Sequence, residues 1–197
     1  MNKVFFDLEW NTGFLDGNSF DEIIEIGAVK TDEEYRQIDG FRRLIRPVIY
    51  RKMNPYIQKI LAITMKDLQG EEPLAAVAKV FFDWCGDCDT LIAWSGNDFG
   101  VLEKNLAHIG MKIPEQLVRY DVQMAYAYRT ENSIRNYALK TAVEAMELPE
   151  PEGQEYHDAY CDAQFTAAIG RALTERYGPL PAVEELQALK NTLVKPK

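Results

Sequence analysis

The stretch Val4-Phe5-Phe6-Asp7-Leu8-Glu9-Trp10 lies near the start of a chain of 197 residues. A short apolar run of this kind, rich in aromatic residues, predicts a buried strand over residues 3–10. Two acids within it are unusual, because a carboxylate flanked by bulky apolar groups must be paired, protonated or bound to a cation. Residues two apart on a strand point to the same face, so Asp7 and Glu9 should project together.

Outward from this strand the pattern alternates between strands and helices. Residues 11–21 contain two Gly, two Asn and two Asp, a composition that predicts a loop. Further strands are predicted at 22–30, 35–47, 90–94 and 117–122. Helices are predicted at 54–61, 64–68, 72–84, 99–109, 122–128, 133–146, 158–176 and 182–193. An antiparallel start followed by this alternation predicts an α/β fold, a mixed sheet with helices on both faces.

Length and composition favour a single folded domain. A chain of this length with 47% hydrophobic residues can bury a sizeable core, and no stretch approaches the roughly 20 apolar residues of a membrane span. The start lacks the layout of a signal peptide, and three cysteines do not suggest a disulfide framework. We therefore expect a cytoplasmic protein with no membrane partner. Gly178-Pro-Leu-Pro181 should separate a domain of residues 1–178 from a helix and basic tail, residues 179–197, of the same domain.

The charge balance argues against a protein that coats nucleic acid, because the net charge is −9 and such proteins need a broad basic face. One local basic patch lies within residues 41–52, a stretch that contains no acid. It comprises Arg42, Arg43, Arg46, Arg51 and Lys52. The patch fits nucleic-acid binding and fits equally a solvated edge strand whose cations discourage strand pairing.

Asp7 and Glu9 on one strand face would repel each other unless a cation lies between them. Mg²⁺ or Mn²⁺ suits such a position, because hard cations prefer oxygen ligands. The alternative is two strand-end acids that accept backbone amides. Asp98 has a similar ambiguity: at the start of a helix it serves as a cap, yet Ser95 and Asn97 could cap the helix instead.

His157 and Asp162 form a third candidate group. With a helix beginning near Asp158, His157 lies in the preceding loop and Asp162 lies one turn into the helix. Histidine can accept a proton near neutral pH, which the activation of a water molecule requires. Asp158 is interpreted as the helix cap, although it could compete as a ligand. His108, the other histidine, is interpreted as a structural residue at the surface.

Taken together, these motifs resemble those of the DEDDh group of 3′-5′ exonucleases. The resemblance extends from Val4 to about Leu173 and rests on three motifs in order: Asp7-Leu8-Glu9, Asn97-Asp98 at a helix start, and His157 five residues before Asp162. Supporting stretches are Glu22-Ile-Ile-Glu-Ile-Gly-Ala-Val29, Ile45-Arg-Pro47 and Ile63-Thr64. The family resemblance implies a ribonuclease H-like, mixed five-stranded sheet.

The resemblance also implies hydrolysis with two Mg²⁺ or Mn²⁺ ions. In this family pattern Asp7, Glu9 and Asp162 hold one ion, Asp7 and Asp98 hold the second, and His157 removes a proton from the attacking water. The expected substrate is single-stranded nucleic acid, with RNA slightly favoured over DNA, and the expected products are nucleoside 5′-monophosphates. A binding module on the same fold without turnover is the alternative.

One departure from the family concerns the residues after the first motif. Many members continue with two threonines and a glycine that contact the terminal nucleotide, whereas this chain has Trp10-Asn11-Thr12-Gly13. We expect Trp10, Asn11 and Thr12, together with Asn97, to contact substrate. Trp10 could stack on the last base, or could be a core residue at a strand end.

The stretch Trp84-Cys-Gly-Asp-Cys88 imitates a thioredoxin redox motif, but its setting is reversed. Its cysteines follow a predicted helix, where the dipole raises the pKa of a thiol. We therefore expect neither a redox centre nor a zinc site, since Cys161 is the only further cysteine.

Overall fold

The computed structural model describes residues 2–61, 63–149 and 156–193. Its sheet has five strands in the order β3-β2-β1-β4-β5. The β1/β2 and β2/β3 pairs are antiparallel, whereas β4 pairs in parallel with both β1 and β5. The mixed five-stranded sheet predicted from the sequence is thus present, with β1 at its centre.

The strands are β1 Lys3–Leu15, β2 Asn18–Thr31, β3 Gln37–Leu44, β4 Thr90–Ala93 and β5 Val118–Asp121. The helices are α1 Ile57–Ile60, α2 Met65–Leu68, α3 Leu74–Cys85, α4 Gly96–His108, α5 Val122–Glu131, α6 Leu139–Ala145, α7 Ala159–Tyr177 and α8 Val183–Leu193. These bounds agree with the predicted elements in kind and order, except at the two places described below.

Strand β1 contributes to two hydrophobic cores, one on each face of the sheet. Phe6 packs with α3 and α4, and its ring lies 5.2 Å from that of Phe99. Phe5 faces the other side, in the core that contains Phe165 and Ile169 of α7. Because neighbouring residues on a strand point to opposite faces, the continuous apolar run supplies both cores. Asp7 and Glu9 lie on the same face of β1 as Phe5.

The prediction of a loop at residues 11–21 is wrong, because the chain forms a long hairpin there. Strand β1 continues to Leu15, and Leu15 pairs with Asn18 at the start of β2. Asp16 and Gly17 form the turn with φ of 50° and 80°. Two positive φ values match the twist of a two-residue hairpin, and Asp-Gly is among the residue pairs that adopt them most readily. The polar composition that predicted a loop belongs instead to an exposed hairpin tip.

The helix predicted at 133–146 is shorter than expected, since α6 begins at Leu139. Helix α5 ends at Glu131, and its C-cap Asn132 adopts a left-handed conformation with φ of 49°. The carbonyl of Tyr137 then accepts hydrogen bonds from the Trp94 indole, at 3.0 Å, and from the Gln123 side chain, at 2.8 Å. These long-range bonds hold the carbonyl outside a helix, which local propensity alone does not reveal.

The C-terminal helix α8 packs against α5, and Leu186 of α8 lies in the second core. The hydroxyl of Tyr120 donates to the carbonyl of Pro181 at 2.9 Å, which fixes the connection between α7 and α8. The expected basic tail includes residues 194–197, which lie outside the described residues, and the boundary at residue 178 stays a prediction. No helix within the described ranges is long and apolar enough to span a bilayer.

Candidate active site

The five predicted acidic and histidine residues line one cavity of about 300 Å³. They reach it from the central strand, from the first turns of two helices and, for His157, from the residue before the cap of the second helix. The remaining walls are apolar and include parts of α1. The cavity is lined by Asp7, Leu8, Glu9, Trp10, Ile57, Ile60, Leu61, Asp98, His157 and Asp162.

Asp7 and Glu9 extend from β1 as the sequence predicts. Asp7 lies opposite Gly27 on β2, and Glu9 lies opposite Glu25. A register shift follows Glu9, between it and Trp10, so the regular alternation of β1 is interrupted there. Glu9 is 9% exposed, and Asp7 is partly buried. Both carboxylates are therefore largely removed from water without a cationic side chain bonded to them in the described structure.

Asp98 lies in the first turn of α4, but it is not the residue that caps the helix. The hydroxyl of Ser95 accepts the backbone N–H of Asn97 at 3.3 Å and donates to Oδ2 of Asp98 at 3.2 Å. Burial raises the pKa of Asp98 to about 6, although the hydrogen bond from Ser95 opposes the rise. Ser95 thus performs the capping role, while Asp98 lines the cavity.

His157 and Asp162 come together at the start of α7. Asp158 is the N-cap, as predicted, and its Oδ1 accepts the backbone N–H of Cys161 at 3.0 Å. His157 precedes it in a left-handed conformation with φ of 68°. The backbone N–H of His157 donates to Oδ2 of Asp162 at 3.1 Å. The imidazole of His157 is exposed, whereas Asp162 is buried, so the histidine stands at the rim of the cavity.

A glycine on β2 allows α7 to approach the sheet closely enough to form this arrangement. A Cβ atom on Gly27 would lie 2.1 Å from the backbone of Ala159 and Tyr160. Any side chain at this position would push away the first turn of α7. Because Gly27 is paired with Asp7, the contact sets the separation between the acids of β1 and those of α7.

The chemistry of these side chains fits a bound cation. Ligand atoms of Glu9, His157 and Asp162 all lie within 4.8 Å of one another. Oδ1 of Asp162 is buried and has no hydrogen-bond partner among the described residues. A buried carboxylate oxygen without a partner is costly unless it binds a cation or a proton, and carboxylates with imidazole are ligands for divalent ions.

Mutual repulsion of the carboxylates is strong in the metal-free protein. Burial raises the pKa of Asp7 well above its ordinary value, and the charges of Asp98 and Asp162 raise it further. Burial, followed by the charge of Asp162, raises the pKa of Glu9 to about 8. Burial raises the pKa of Asp162 to about 7, although the amide of His157 opposes the rise. Without a cation these groups share protons near neutral pH.

Next to the cavity lies an ion-pair network that the sequence analysis missed. Glu25 is completely buried, and its Oε1 accepts from Nε of Arg42 at 2.8 Å. The Nη2 atom of Arg42 bonds Oδ2 of Asp158 at 2.5 Å. The network ties edge strand β3 to the N-cap of α7, beside His157. An acid between apolar neighbours in Ile23-Ile24-Glu25-Ile26 carried the same signal as Asp7 and could have been identified from it.

The four residues expected to contact substrate have different surroundings. Trp10 packs against the first core and also lines the cavity. Asn11 is 1% exposed, and its side chain bonds the carbonyl of Lys52 and the amide of Asn54. Thr12 donates to Asp21 at 2.8 Å. Asn97 is exposed on the first turn of α4. Trp10 thus lies at the cavity, whereas the side chain of Asn11 is hydrogen-bonded to the backbone of residues 52–54.

Cys85 and Cys88 lie where the sequence predicts, at the end of α3 and just beyond it. Both are buried and neither forms a disulfide. Burial raises the pKa of the Cys85 thiol to about 12. A thiol with a raised pKa is a poor nucleophile, unlike the reactive thiol of a redox motif.

The chain resembles known nucleases over most of its length. The family model of the RNase_T exonucleases matches residues 4–169. The chain is 29% identical over 169 residues to DNA polymerase III PolC-type from Clostridium perfringens, covering 84% of this chain and 11% of that protein. It is 28% identical over 181 residues to a putative bifunctional exonuclease/endonuclease protein from Mycobacterium tuberculosis, covering 89% and 27%. The chain therefore spans about a tenth and about a quarter of the lengths of these relatives.

Among solved structures, the nuclease domain of 3′hExo, a DEDDh family member bound to rAMP, superposes with a TM-score of 0.77. The two are 16% identical, and the match covers 91% of this chain and 95% of that chain. This likeness confirms the predicted ribonuclease H-like fold, and the family match confirms the resemblance carried by the motifs. The chain belongs to the RNase_T exonuclease family.

Proposed function

We propose that the protein is a metal-dependent 3′-5′ exonuclease that hydrolyses single-stranded RNA or DNA to nucleoside 5′-monophosphates. The observation that carries the proposal is the meeting of Glu9, His157 and Asp162 within 4.8 Å in one cavity, with a buried oxygen of Asp162 left without a partner. Four mutually repelling carboxylates lower the stability of a fold, so their assembly at one place favours a chemical role.

The carboxylates divide between two Mg²⁺ or Mn²⁺ ions in this proposal. Asp7, Glu9 and Asp162 would hold the first ion, and Asp7 together with Asp98 would hold the second. When bound, the ions supply positive charge that stabilises the transition state and lowers the pKa of water. The side chains of β1 and α7 contribute fixed positions, because the close approach at Gly27 sets the distance of α7 from the sheet and the cap at Asp158 orders the first turn of α7.

His157 acts as the general base. A ring nitrogen of its imidazole accepts the proton of the attacking water, and the exposed rim position then allows that proton to pass to solvent. The backbone N–H of His157 is bonded to Asp162, so the base and the metal-binding acid keep a fixed relation while the ring remains free to turn.

The terminal nucleotide binds in the cavity between Trp10 and the apolar residues of α1. Trp10 offers an aromatic face to the last base, a contact that tolerates any sequence. Asn97, exposed beside Asp98, donates to the terminal sugar or phosphate. Thr12 contacts the substrate in this proposal, whereas Asn11 acts indirectly, because its side chain holds residues 52–54 in place. RNA is slightly favoured over DNA as the substrate.

The test is hydrolysis of matched single-stranded RNA and DNA, each labelled at the 5′ end, with Mg²⁺ or Mn²⁺. We expect stepwise shortening from the 3′ end, release of nucleoside 5′-monophosphates and complete inhibition by EDTA. Inactivity on RNA, DNA and dinucleotides with both metals would favour a binding module on the same fold.

The role of His157 has a matched control within the chain. His157→Ala should reduce kcat by at least about a hundredfold, because general base catalysis contributes on the order of a hundredfold or more. Metal binding should remain nearly intact. His108→Ala, at an exposed histidine that lies 5.6 Å from the Phe20 ring, should retain the wild-type kcat. Equal turnover in the two variants would remove His157 from the mechanism.

A further inference from the structure

Charge is distributed very unevenly along this chain. The basic segment, defined as residues 41–66, contains seven of the 22 Lys and Arg residues and none of the 31 Asp and Glu residues. The cavity, in contrast, collects four carboxylates, and the whole chain has a net charge of −9. A polyanionic substrate is repelled by such a surface unless a local positive region lies along its path.

Two cations of the basic segment have charged or aromatic partners, and a third, Arg46, donates from Nε to the carbonyl of Glu71 at 3.2 Å. Arg42 bonds Glu25 and Asp158, and the guanidinium of Arg43 lies 5.5 Å from the centre of the Phe41 ring. Both are on edge strand β3, where cations discourage strand pairing. The other five lie beyond β3, are exposed and form no ion pair with any residue in the described ranges: Arg46, Arg51, Lys52, Lys59 and Lys66. Edge protection does not explain these five.

The middle of the basic segment is fixed to the hairpin that carries the catalytic acids. The buried carboxylate of Glu22 accepts the backbone N–H groups of three consecutive residues, at 2.6 Å from Val48, 2.8 Å from Ile49 and 2.8 Å from Tyr50. Asn11, two positions beyond Glu9, bonds the backbone on both sides of Met53. These buried anchors hold an irregular stretch, and therefore its cations, in a set position relative to the cavity.

The basic segment also forms a wall of the cavity. Ile57, Ile60 and Leu61 line the cavity, and Lys59 lies in the same helical turn. Tyr56, one residue before α1, is 69% exposed. Farther along the segment, a surface cavity of about 380 Å³ is lined by Arg46, Pro47, Val48, Tyr50, Arg51, Met65, Leu68 and Gln69. Exposed cations interleaved with exposed aromatic and apolar groups are typical of single-strand binding surfaces.

We propose that the basic segment binds the phosphate backbone of single-stranded nucleic acid on the 5′ side of the terminal nucleotide. The enzyme then acts on oligonucleotides several residues long in preference to dinucleotides. This inference rests on the proposed function and specifies its substrate class. The cations beyond β3 neutralise successive phosphates, while Tyr56 offers a face for a base.

The first experiment measures binding without turnover. Asp7→Asn serves as the inactive background, and the ligand is a fluorescent single-stranded RNA of about 16 nucleotides, long enough to span a binding site of this kind. The test variant adds Arg51→Gln, Lys52→Gln and Lys59→Gln. The control adds Lys79→Gln, Lys104→Gln and Lys112→Gln, which remove the same charge from exposed positions outside the basic segment. Thermal unfolding verifies that both variants are folded.

We expect the test variant to bind roughly tenfold more weakly than its background. The slope of log K against log salt concentration should fall by up to about 2, since each neutralised phosphate of a single strand contributes about 0.7. The control should keep the slope of its background. Equal weakening in test and control would mean that only net charge matters, and would overturn the inference.

The second experiment compares hydrolysis of the long RNA with that of a dinucleotide, in the otherwise wild-type enzyme. The test variant should lose more kcat/KM, relative to the wild type, on the long RNA than on the dinucleotide. The loss should appear as a higher KM. Equal kcat/KM of the wild type on both lengths would contradict the inference. If no substrate is hydrolysed but RNA binding still depends on the basic segment, the proposed function fails while the binding surface stands.

Discussion

Two kinds of buried carboxylate lie on the same hairpin, and their surroundings differ in one respect. Glu22 is 4% exposed and accepts three backbone N–H groups. Glu9 is 9% exposed, the charges of Asp162 and Asp98 repel it, and it in turn repels Asp7. The first carboxylate stabilises an irregular stretch of chain. The second belongs to a group that the protein alone does not neutralise.

Both kinds of acid are buried, so burial does not distinguish an acid that supports the fold from one suited to a chemical role. Their hydrogen-bonding and charged partners do. A buried acid with enough donors contributes to folding, whereas buried acids that face one another cost folding free energy unless a cation joins them. Opposite responses to substitution, pH and metal should therefore distinguish the two groups.

The largest expected effect is the loss of nuclease activity in Asp7→Asn. Turnover should fall by more than about a hundredfold, because even residues that merely orient metal ligands cost up to about that factor. The same substitution removes repulsion, so the metal-free protein should become more stable by roughly 1–2 kcal/mol. Turnover assays and urea unfolding in EDTA measure the two effects. Asp83→Asn, at an exposed acid on α3, is the control and should change neither.

Glu22→Ala should have the opposite stability effect. It leaves three partly buried backbone amides without their acceptor, which should lower the free energy of unfolding by about 4 kcal/mol. Glu22→Gln keeps one acceptor oxygen and should cost about half as much. Urea unfolding of both variants provides the measurement. Wild-type stability in Glu22→Ala would break the distinction between the two kinds of acid.

The pH dependence of stability should reveal the cavity acids directly. The folded protein holds protons on Glu9, with a pKa of about 8, and on Asp162, with a pKa of about 7, more tightly than the unfolded chain does. As pH rises from about 4 to about 8, the unfolded state releases these protons first and becomes favoured, so the metal-free protein should lose several kcal/mol of stability. Excess Mg²⁺ should remove most of this decline. A metal-free stability that rises across this range would contradict the repulsion among the cavity acids.

The sequence identified the candidate site more completely than it identified the hairpin. Asp7, Glu9, Asp98, His157 and Asp162 stand in recognisable local settings, so spacing and order sufficed to select them. The turn at Asp16 and Gly17 was hidden because the same polar residues compose loops and hairpin tips, and long-range pairing decides between them. The non-helical segment around Tyr137 was likewise not predictable from local sequence. The donors to its carbonyl are Trp94, just after β4, and Gln123 of α5.

The other features that the sequence did not predict are contacts between segments that lie far apart along the chain. The pairing of Glu25 with Arg42 requires the register of β2 and β3, and their link to Asp158 requires the docking of α7. The dependence of that docking on the absence of a Cβ at Gly27 is likewise visible only in the assembled fold. Local patterns identify chemical groups, whereas tertiary packing determines which groups share charge.

The smallest expected effect concerns this ion-pair network, which is intermediate between the two kinds of acid. Arg42→Met leaves Glu25 buried without its cation and should destabilise the protein by about 2 kcal/mol, less than for a fully buried pair because Arg42 is half exposed. Adding Glu25→Gln should restore much of the loss. A double-mutant cycle by urea unfolding gives the coupling. Additive effects of the two substitutions would show that the pair contributes nothing.

Calorimetric titration with Mn²⁺ near neutral pH tests the central claim most directly, because it asks whether the repelling carboxylates form a cation site. We expect the wild type to bind two ions, and we expect binding to be lost or greatly weakened in Asp162→Asn and in Glu9→Gln. Glu22→Gln, in which the satisfied acid is changed, should bind Mn²⁺ as the wild type does. Unchanged binding in Asp162→Asn, or equal weakening in Glu22→Gln, would contradict the account.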